Sequence, residues 1–203
     1  MNTNDPSQRV TTVYLLRHGQ TTYNISSRLR GRADLELTAT GRVQAEALGQ
    51  LFAGIVLSRA VSSPLQRALK TAEPVARAAG LRVETMDGLN DRDYGEWTGV
   101  ERSEVLRRFG TIDAAPGVEP WDALCQRVKQ AFDSLLATSS GPAIAIVGHD
   151  ATNRALLAGL IPKLSKAPED IPQANGCWNR IEWNCGHWML TVLNATPGDG
   201  QHP

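Results

Sequence analysis

Four short stretches of the chain set chemically capable side chains beside apolar runs. Leu16-Arg17-His18-Gly19 delivers a guanidinium and an imidazole together, and Gly19 lets the backbone turn tightly against a ligand. Ser62-Ser63-Pro64-Leu65-Gln66-Arg67 puts another arginine in the first turns of a helix, where unpaired N–H groups attract anions. Val147-Gly148-His149-Asp150 repeats the design of an apolar run followed by histidine. Leu89-Asn90-Asp91-Arg92-Asp93 places carboxylates in a loop. Each has an ordinary reading when taken singly: a surface Arg-His pair, a solvated arginine, a capping histidine, a solvated loop. Together they supply forked cations for an anion and side chains that bond to or exchange protons with it.

The elements that must position these residues follow from patterning. Val10–Leu16 and Ala143–Val147 are apolar runs that end in polar loops, so both read as buried strands. Arg59–Ser62, Leu81–Thr85, Trp178–Trp183 and His187–Leu193 read as further strands. Thr38 is placed to cap a helix over 39–52 with Val43, Ala47, Leu48 and Leu51 facing inward. Ser63 and Pro64 suit the N-cap and first position of a helix that runs to Ala79, where Gly80 stops it. Further helices are expected over 102–109, 120–137 and 151–160, with Asp87–Gly99 as a loop. Strands alternating with helices predict an α/β three-layer sandwich around a mostly parallel sheet. Ligands of such sheets bind beyond the carboxyl ends of the strands, where His18 and His149 fall and His187 and His202 do not. One domain over 10–194 is expected, with flexible tails at 1–9 and 195–203.

Composition narrows the partners. Lys and Arg total 21, as do Asp and Glu, so nothing in the bulk charge attracts nucleic acid or an anionic membrane. Any anion site must be a local cluster of basic residues. The apolar runs fall far short of the ~20 residues that span a bilayer, and the N-terminus has no apolar signal core. Cys177 and Cys185 flank a predicted strand that holds them roughly 26 Å apart. A disulfide needs Cα atoms within about 7 Å, so free thiols and a cytoplasmic location are expected. The sequons at Asn24 and Asn194 are read as accidental.

Five blocks in order make the chain resemble the histidine phosphatase superfamily, in its phosphoglycerate-mutase-like branch. They are Leu15 to Asn24 (Leu-x-Arg-His-Gly-x-Thr-x-x-Asn), Gly31 to Gly41, Ser62 to Ala72, the acid loop Leu89 to Gly99, and Gly148-His149. Ile171–Trp178 resembles the closing loop before the C-terminal strands of that family, and the match covers about residues 10–194. The resemblance implies that His18 is the nucleophile and becomes a phosphohistidine, with Arg17, Arg67 and His149 on the phosphate. It implies a general acid at Asp91, where the family usually carries glutamate. A distant branch takes its acid from a His-Asp pair, which keeps Asp150 as an alternative. Thr21 and Asn24 match positions near the pocket, though local hydrogen bonding explains them equally well. Arg30 and Arg32 fall near the expected mouth, where they would hold a second anionic group of the substrate or be solvated. Trp97 is a candidate for the pocket wall.

The resulting expectation is a metal-independent phosphatase for small phosphomonoesters, with no cofactor. The expected partner is a small phosphorylated metabolite; neither nucleic acid nor membrane is expected, and a homodimer is left open. A phosphoglycerate mutase is the rival enzyme. It needs more cover over its ligand, whereas only 49 residues (100–148) separate Gly99 from His149. A non-catalytic phospho-ligand protein is the rival of another class, motivated by Asp91 and opposed by the intact His18, Arg17, Arg67 and His149.

Overall fold

The computed structural model describes residues 10–165 and 167–203, so the expected N-terminal tail at 1–9 lies outside the described residues. In chain order the elements are β1 (Thr12–Arg17), α1 (Thr22–Ile25), α2 (Ala39–Leu51), β2 (Arg59–Ser62), α3 (Gln66–Ala78) and β3 (Val83–Thr85). After these come α4 (Arg102–Phe109), α5 (Trp121–Ala137), β4 (Ala143–Gly148), α6 (Asp150–Leu160), β5 (Trp178–Asn184) and β6 (His187–Ala195). The six strands form one sheet in the order β3-β2-β4-β1-β5-β6. β1, β2, β3 and β4 run parallel, β5 joins β1 antiparallel, and β6 pairs antiparallel with β5 at the edge.

Side chains on a strand alternate between faces, and β1 separates its load accordingly. Val13 and Leu15 pack with Leu124, Val128, Phe132 and Leu157 from α5 and α6. Tyr14 and Leu16 pack on the opposite face with Leu48, Phe52, Ala72 and Val75 from the α2 and α3 side. A strand covered on both faces reads as an unbroken apolar run, which is why β1 and β4 stand out in the sequence. A third, smaller cluster joins Leu29, Tyr94, Trp97, Val105, Ile112 and Ala115, and packs α4 against the loops on either side of it.

Several expectations need correction. Val43 is 69% exposed; α2 buries Leu48 as expected, together with Gly41, Ala45 and Gly49. Small residues let α2 approach α3 closely: a Cβ on Gly49 would lie 2.7 Å from the Pro74 side chain. The α3 N-cap is Leu65, not Ser63. Ser63 Oγ accepts from the Leu65 N–H at 3.3 Å, so Ser63 and Pro64 form a turn ahead of the helix. β3 begins at Val83 rather than Leu81, and short 3-10 turns at Asp87–Leu89 and Gly95–Trp97 interrupt the 87–99 loop. β6 runs on to Ala195, which is buried and pairs with Trp178, so that residue belongs to the sheet rather than to a tail. Trp97 sits in the third cluster, edge-on to Phe109, and not in the wall of the main cleft. Cys125, Cys177 and Cys185 are free thiols. Burial pushes the Cys177 thiol up to about 12, which leaves it inert.

Candidate active site

The parallel register of β1 and β4 pairs Arg17 with Gly148, so the next residue of each strand, His18 and His149, emerge side by side. Their ring centroids are 5.2 Å apart and both side chains are fully buried. His18 is fixed by its main chain: its N–H donates to Gly148 O at 3.1 Å, and its carbonyl accepts from Gly176 N at 3.1 Å. Gly19 follows because the chain passes close to α2; a Cβ there would lie 2.4 Å from Gly41 O. The Gly19 N–H donates to Thr71 Oγ1 at 3.0 Å, tying the loop to α3.

His18 Nδ1 lies 2.7 Å from Gly19 O. A carbonyl only accepts, so Nδ1 carries the proton and the lone pair resides on Nε2. Nε2 is buried with no hydrogen-bond partner. Both ring nitrogens of His149 are in the same condition. Desolvation, then the positive charges around them with Arg67 first, hold both imidazoles well below their usual pKa, so they are neutral at pH 7.

Arg67 is buried at the start of α3 and points its fork across the site. It donates to Ala33 O at 2.7 Å, Gly31 O at 2.8 Å and Asp91 Oδ2 at 3.1 Å. Arg17 donates to the Gln173 carbonyl. Asp91 is buried, with Oδ2 3.9 Å from His149 Nδ1. Its other oxygen accepts from the Arg92 N–H at 2.9 Å, and Arg127 holds the loop by donating to Gly88 O, Asn90 O and Asp91 O. His18, His149, Arg17, Arg67 and Asp91 therefore converge at the carboxyl edge of β1, β2 and β4.

The remaining predicted residues lie farther out. An open cleft of about 830 Å³ begins at Arg17 and runs past Arg30, Tyr94 and Asp150 toward Arg102 and Ile112. Asn24 lines it, yet Asn24 Oδ1 accepts from both the N–H and the hydroxyl of Thr21, at 2.9 and 2.8 Å. Thr21 is buried as the N-cap of α1, so this pair closes the first turn of that helix. Arg30 reaches the cleft and pairs with Asp150 Oδ2 at 3.6 Å. Arg32 is outside the cleft lining and pairs with Asp93 at 3.4 Å. Asp150 is the first residue of α6, whose N-cap is His149, so it does not cap that helix.

Sequence reasoning missed the supports. Gln173 accepts from Arg17 through its main chain, and its side-chain oxygen accepts from Asn153 at 3.0 Å and Asn179 at 3.1 Å. Asn175 Nδ2 donates to His18 O at 3.3 Å. Only the general resemblance of the 171–178 loop pointed there, since a carbonyl acceptor has no side-chain signature. Arg92 and Arg154, which also line the cleft, were not singled out for it.

With this geometry in place, comparison with known proteins is informative. A profile of the histidine phosphatase superfamily (branch 1) matches residues 13–196. The chain is 30% identical to the "uncharacterized phosphatase PhoE" of Bacillus subtilis over 91% of its length and 95% of that protein. It is likewise 30% identical to the "probable phosphoglycerate mutase GpmB" of Salmonella choleraesuis, covering 94% of each. The mycobacterial glucosyl-3-phosphoglycerate phosphatase in complex with VO3 superposes with a TM-score of 0.82 at 27% identity, over 92% of this chain and all of that one. The chain belongs to the histidine phosphatase superfamily, branch 1, and is an enzyme of that family.

Proposed function

We propose that the protein hydrolyses small phosphomonoesters, without a metal, through a phosphohistidine on His18. One observation carries this reading: a neutral, buried imidazole whose Nε2 is unpartnered, set among Arg17, Arg67 and a second unpartnered imidazole. A phosphomonoester brings about −1.5 to −2 charge, which the forked guanidiniums match in shape and sign. Nε2 donates its lone pair to phosphorus as the ester P–O bond breaks. Asp91 gives its proton to the departing oxygen. Water then attacks the phosphohistidine, the P–N bond breaks, and Asp91 takes the proton of the water. Two displacements replace one difficult step.

The mutase reading is kept by the similarity to GpmB. The short 100–148 span supports hydrolysis instead, because a mutase must retain its ligand between two phosphoryl transfers. The test is phosphate release from a panel of phosphorylated metabolites in excess EDTA. Full activity is expected, with little interconversion of 2- and 3-phosphoglycerate. Activity that vanishes in EDTA and returns with Mg²⁺ or Zn²⁺ overturns the metal-free mechanism. Rapid isomerisation without phosphate release establishes the mutase.

A further inference from the structure

Asp150 follows His149 directly, yet the mechanism above gives it no step. Its carboxylate lies inside the cleft and faces three guanidiniums. Arg154, one helical turn along α6, brings Nε to 3.0 Å from Oδ1; Arg30 and Arg17 bring Nη2 to 3.6 and 3.9 Å from Oδ2. Arg17 is also the arginine assigned to the phosphate, so the carboxylate stands one side chain away from the ester. Arg30 has no other ion-pair partner among the described residues, and its buried Nε lacks a hydrogen bond. Asp150 gives these three guanidiniums one built-in counter-ion, and its oxygens occupy the space between them where a second anionic group of a substrate would sit. A substrate carboxylate placed there would meet Asp150 at close range, and like charges in a partly desolvated cleft repel strongly.

We propose that Asp150 is a specificity-determining residue: paired with Arg30 and Arg154 beside the phosphate pocket, it selects phosphomonoesters whose skeleton carries no acidic group near the ester. This rests on the phosphatase reading and sharpens its substrate class toward phosphorylated alcohols and sugars, away from phosphorylated hydroxy acids. It also places a carboxylate of the protein beside Arg30, the residue that the sequence offered as a holder of a second anion.

Glycerol 3-phosphate and 3-phosphoglycerate make a matched pair, because they differ only in a hydroxymethyl or a carboxylate at the far carbon. Their affinities are measured by calorimetry on His18→Ala protein carrying Asp150, Asp150→Asn or Asp150→Glu. With Asp150 the neutral ester binds at least tenfold more tightly than the acidic one. Asp150→Asn brings the ratio within threefold of unity or inverts it, and Asp150→Glu restores the preference. The same ratio in all three proteins overturns the proposal. So does an equal weakening of both esters by Asp150→Asn, which would make the residue only a positioning group for Arg17. Failure of both esters to bind overturns it as well. Inhibition of nitrophenyl phosphate turnover by the two esters, in proteins that keep His18, gives the ratio independently of the His18→Ala background. Failure of the phosphatase reading shows separately, as no phosphate release by the unmodified protein.

Discussion

The inner pocket and the outer cleft use arginine to different ends. Arg17 and Arg67 are buried at strand and helix ends and donate to the carbonyls of Gln173, Gly31 and Ala33, with Asp91 on Arg67 at 3.1 Å and Asp150 3.9 Å from Arg17. A carbonyl fixes a guanidinium without cancelling its charge, so the pocket keeps positive potential for a ligand. Most outer arginines instead lie against carboxylates: Arg28 against Glu101, Arg32 against Asp93 and Arg92 against Asp113, while Arg30 and Arg154 share Asp150. Much of their charge is balanced within the protein. On the proposed reading, phosphate affinity resides in the inner pocket, and discrimination among phosphate esters in the outer cleft.

The most severe break of that division is His18→Ala. It removes the nucleophile and leaves the cations, so turnover should fall by about 10⁴-fold or more while phosphate binding survives. Rapid quenching of the unmodified enzyme with substrate should trap an acid-labile, base-stable phosphoryl group on His18. Full activity in the variant removes the mechanism.

Asp91→Asn should act next most strongly, and selectively. Alkyl phosphates, whose leaving groups need a proton, should slow by roughly 10²–10⁴-fold. Nitrophenyl phosphate should slow by much less, because its leaving group departs unprotonated. Asp150→Asn should show no such dependence on leaving group. If the two variants exchange these behaviours, Asp150 is the acid and its assignment as a counter-ion fails.

How far the two regions were legible from the sequence follows the same division. Continuous apolar runs announced β1 and β4, and glycine or proline punctuation announced their neighbours, so the sandwich was readable. His18, Arg17, Arg67 and His149 stand out because each lies at the end of such a strand or in the first turn of the helix that follows one, whereas Asp91, in a loop, stands out only through the family resemblance. The outer cleft was not, since its partners come from distant segments: Arg30 from the loop after α1, Asp150 and Arg154 from α6. Nothing local in Arg30 or Asp150 reports that they will meet across 120 positions of sequence. His149 caps α6, so Asp150 opens the first turn of that helix and its side chain is free to enter the cleft. Ser63 and Val43 were misread for a related reason: propensity and periodicity yielded to the close approach of α2 and α3 and to the turn before Leu65.

Acid sharpens the inner side of the comparison. His18 and His149 bind a proton more weakly in the folded protein than in the unfolded chain, whose histidines titrate near 6.5. Above that pH neither state is protonated and stability is at its full value. As pH falls below 6.5, the unfolded chain takes up protons that the folded one refuses. Stability should then decline by up to about 1.4 kcal/mol per pH unit for each histidine, until the folded pKa is reached. Urea midpoints between pH 7.5 and 5 measure this, and the His18→Ala protein should lose part of the slope. A midpoint that is flat over that range contradicts the burial of two neutral imidazoles.

The smallest effects belong to the outer arginines, and Arg30 and Arg32 separate the readings that remain. Both arose in the sequence as possible holders of a second anion. Arg32 is half-exposed, pairs with Asp93 and does not line the cleft, and exposed pairs of this kind contribute little. Arg32→Ala should therefore leave KM and kcat unchanged within about twofold for every substrate. Arg30→Ala does something different, because it leaves the Asp150 carboxylate with one cation fewer beside the phosphate. KM should rise by roughly three- to tenfold and kcat should change little, since the loss is shared by ground and transition states. The rise should be steeper for 3-phosphoglycerate than for glycerol 3-phosphate, as the exposed charge of Asp150 opposes the second anion most. If instead KM rises equally for both esters, Arg30 attracts phosphate directly, and the boundary between pocket and cleft lies farther out than its pairing with Asp150 indicates.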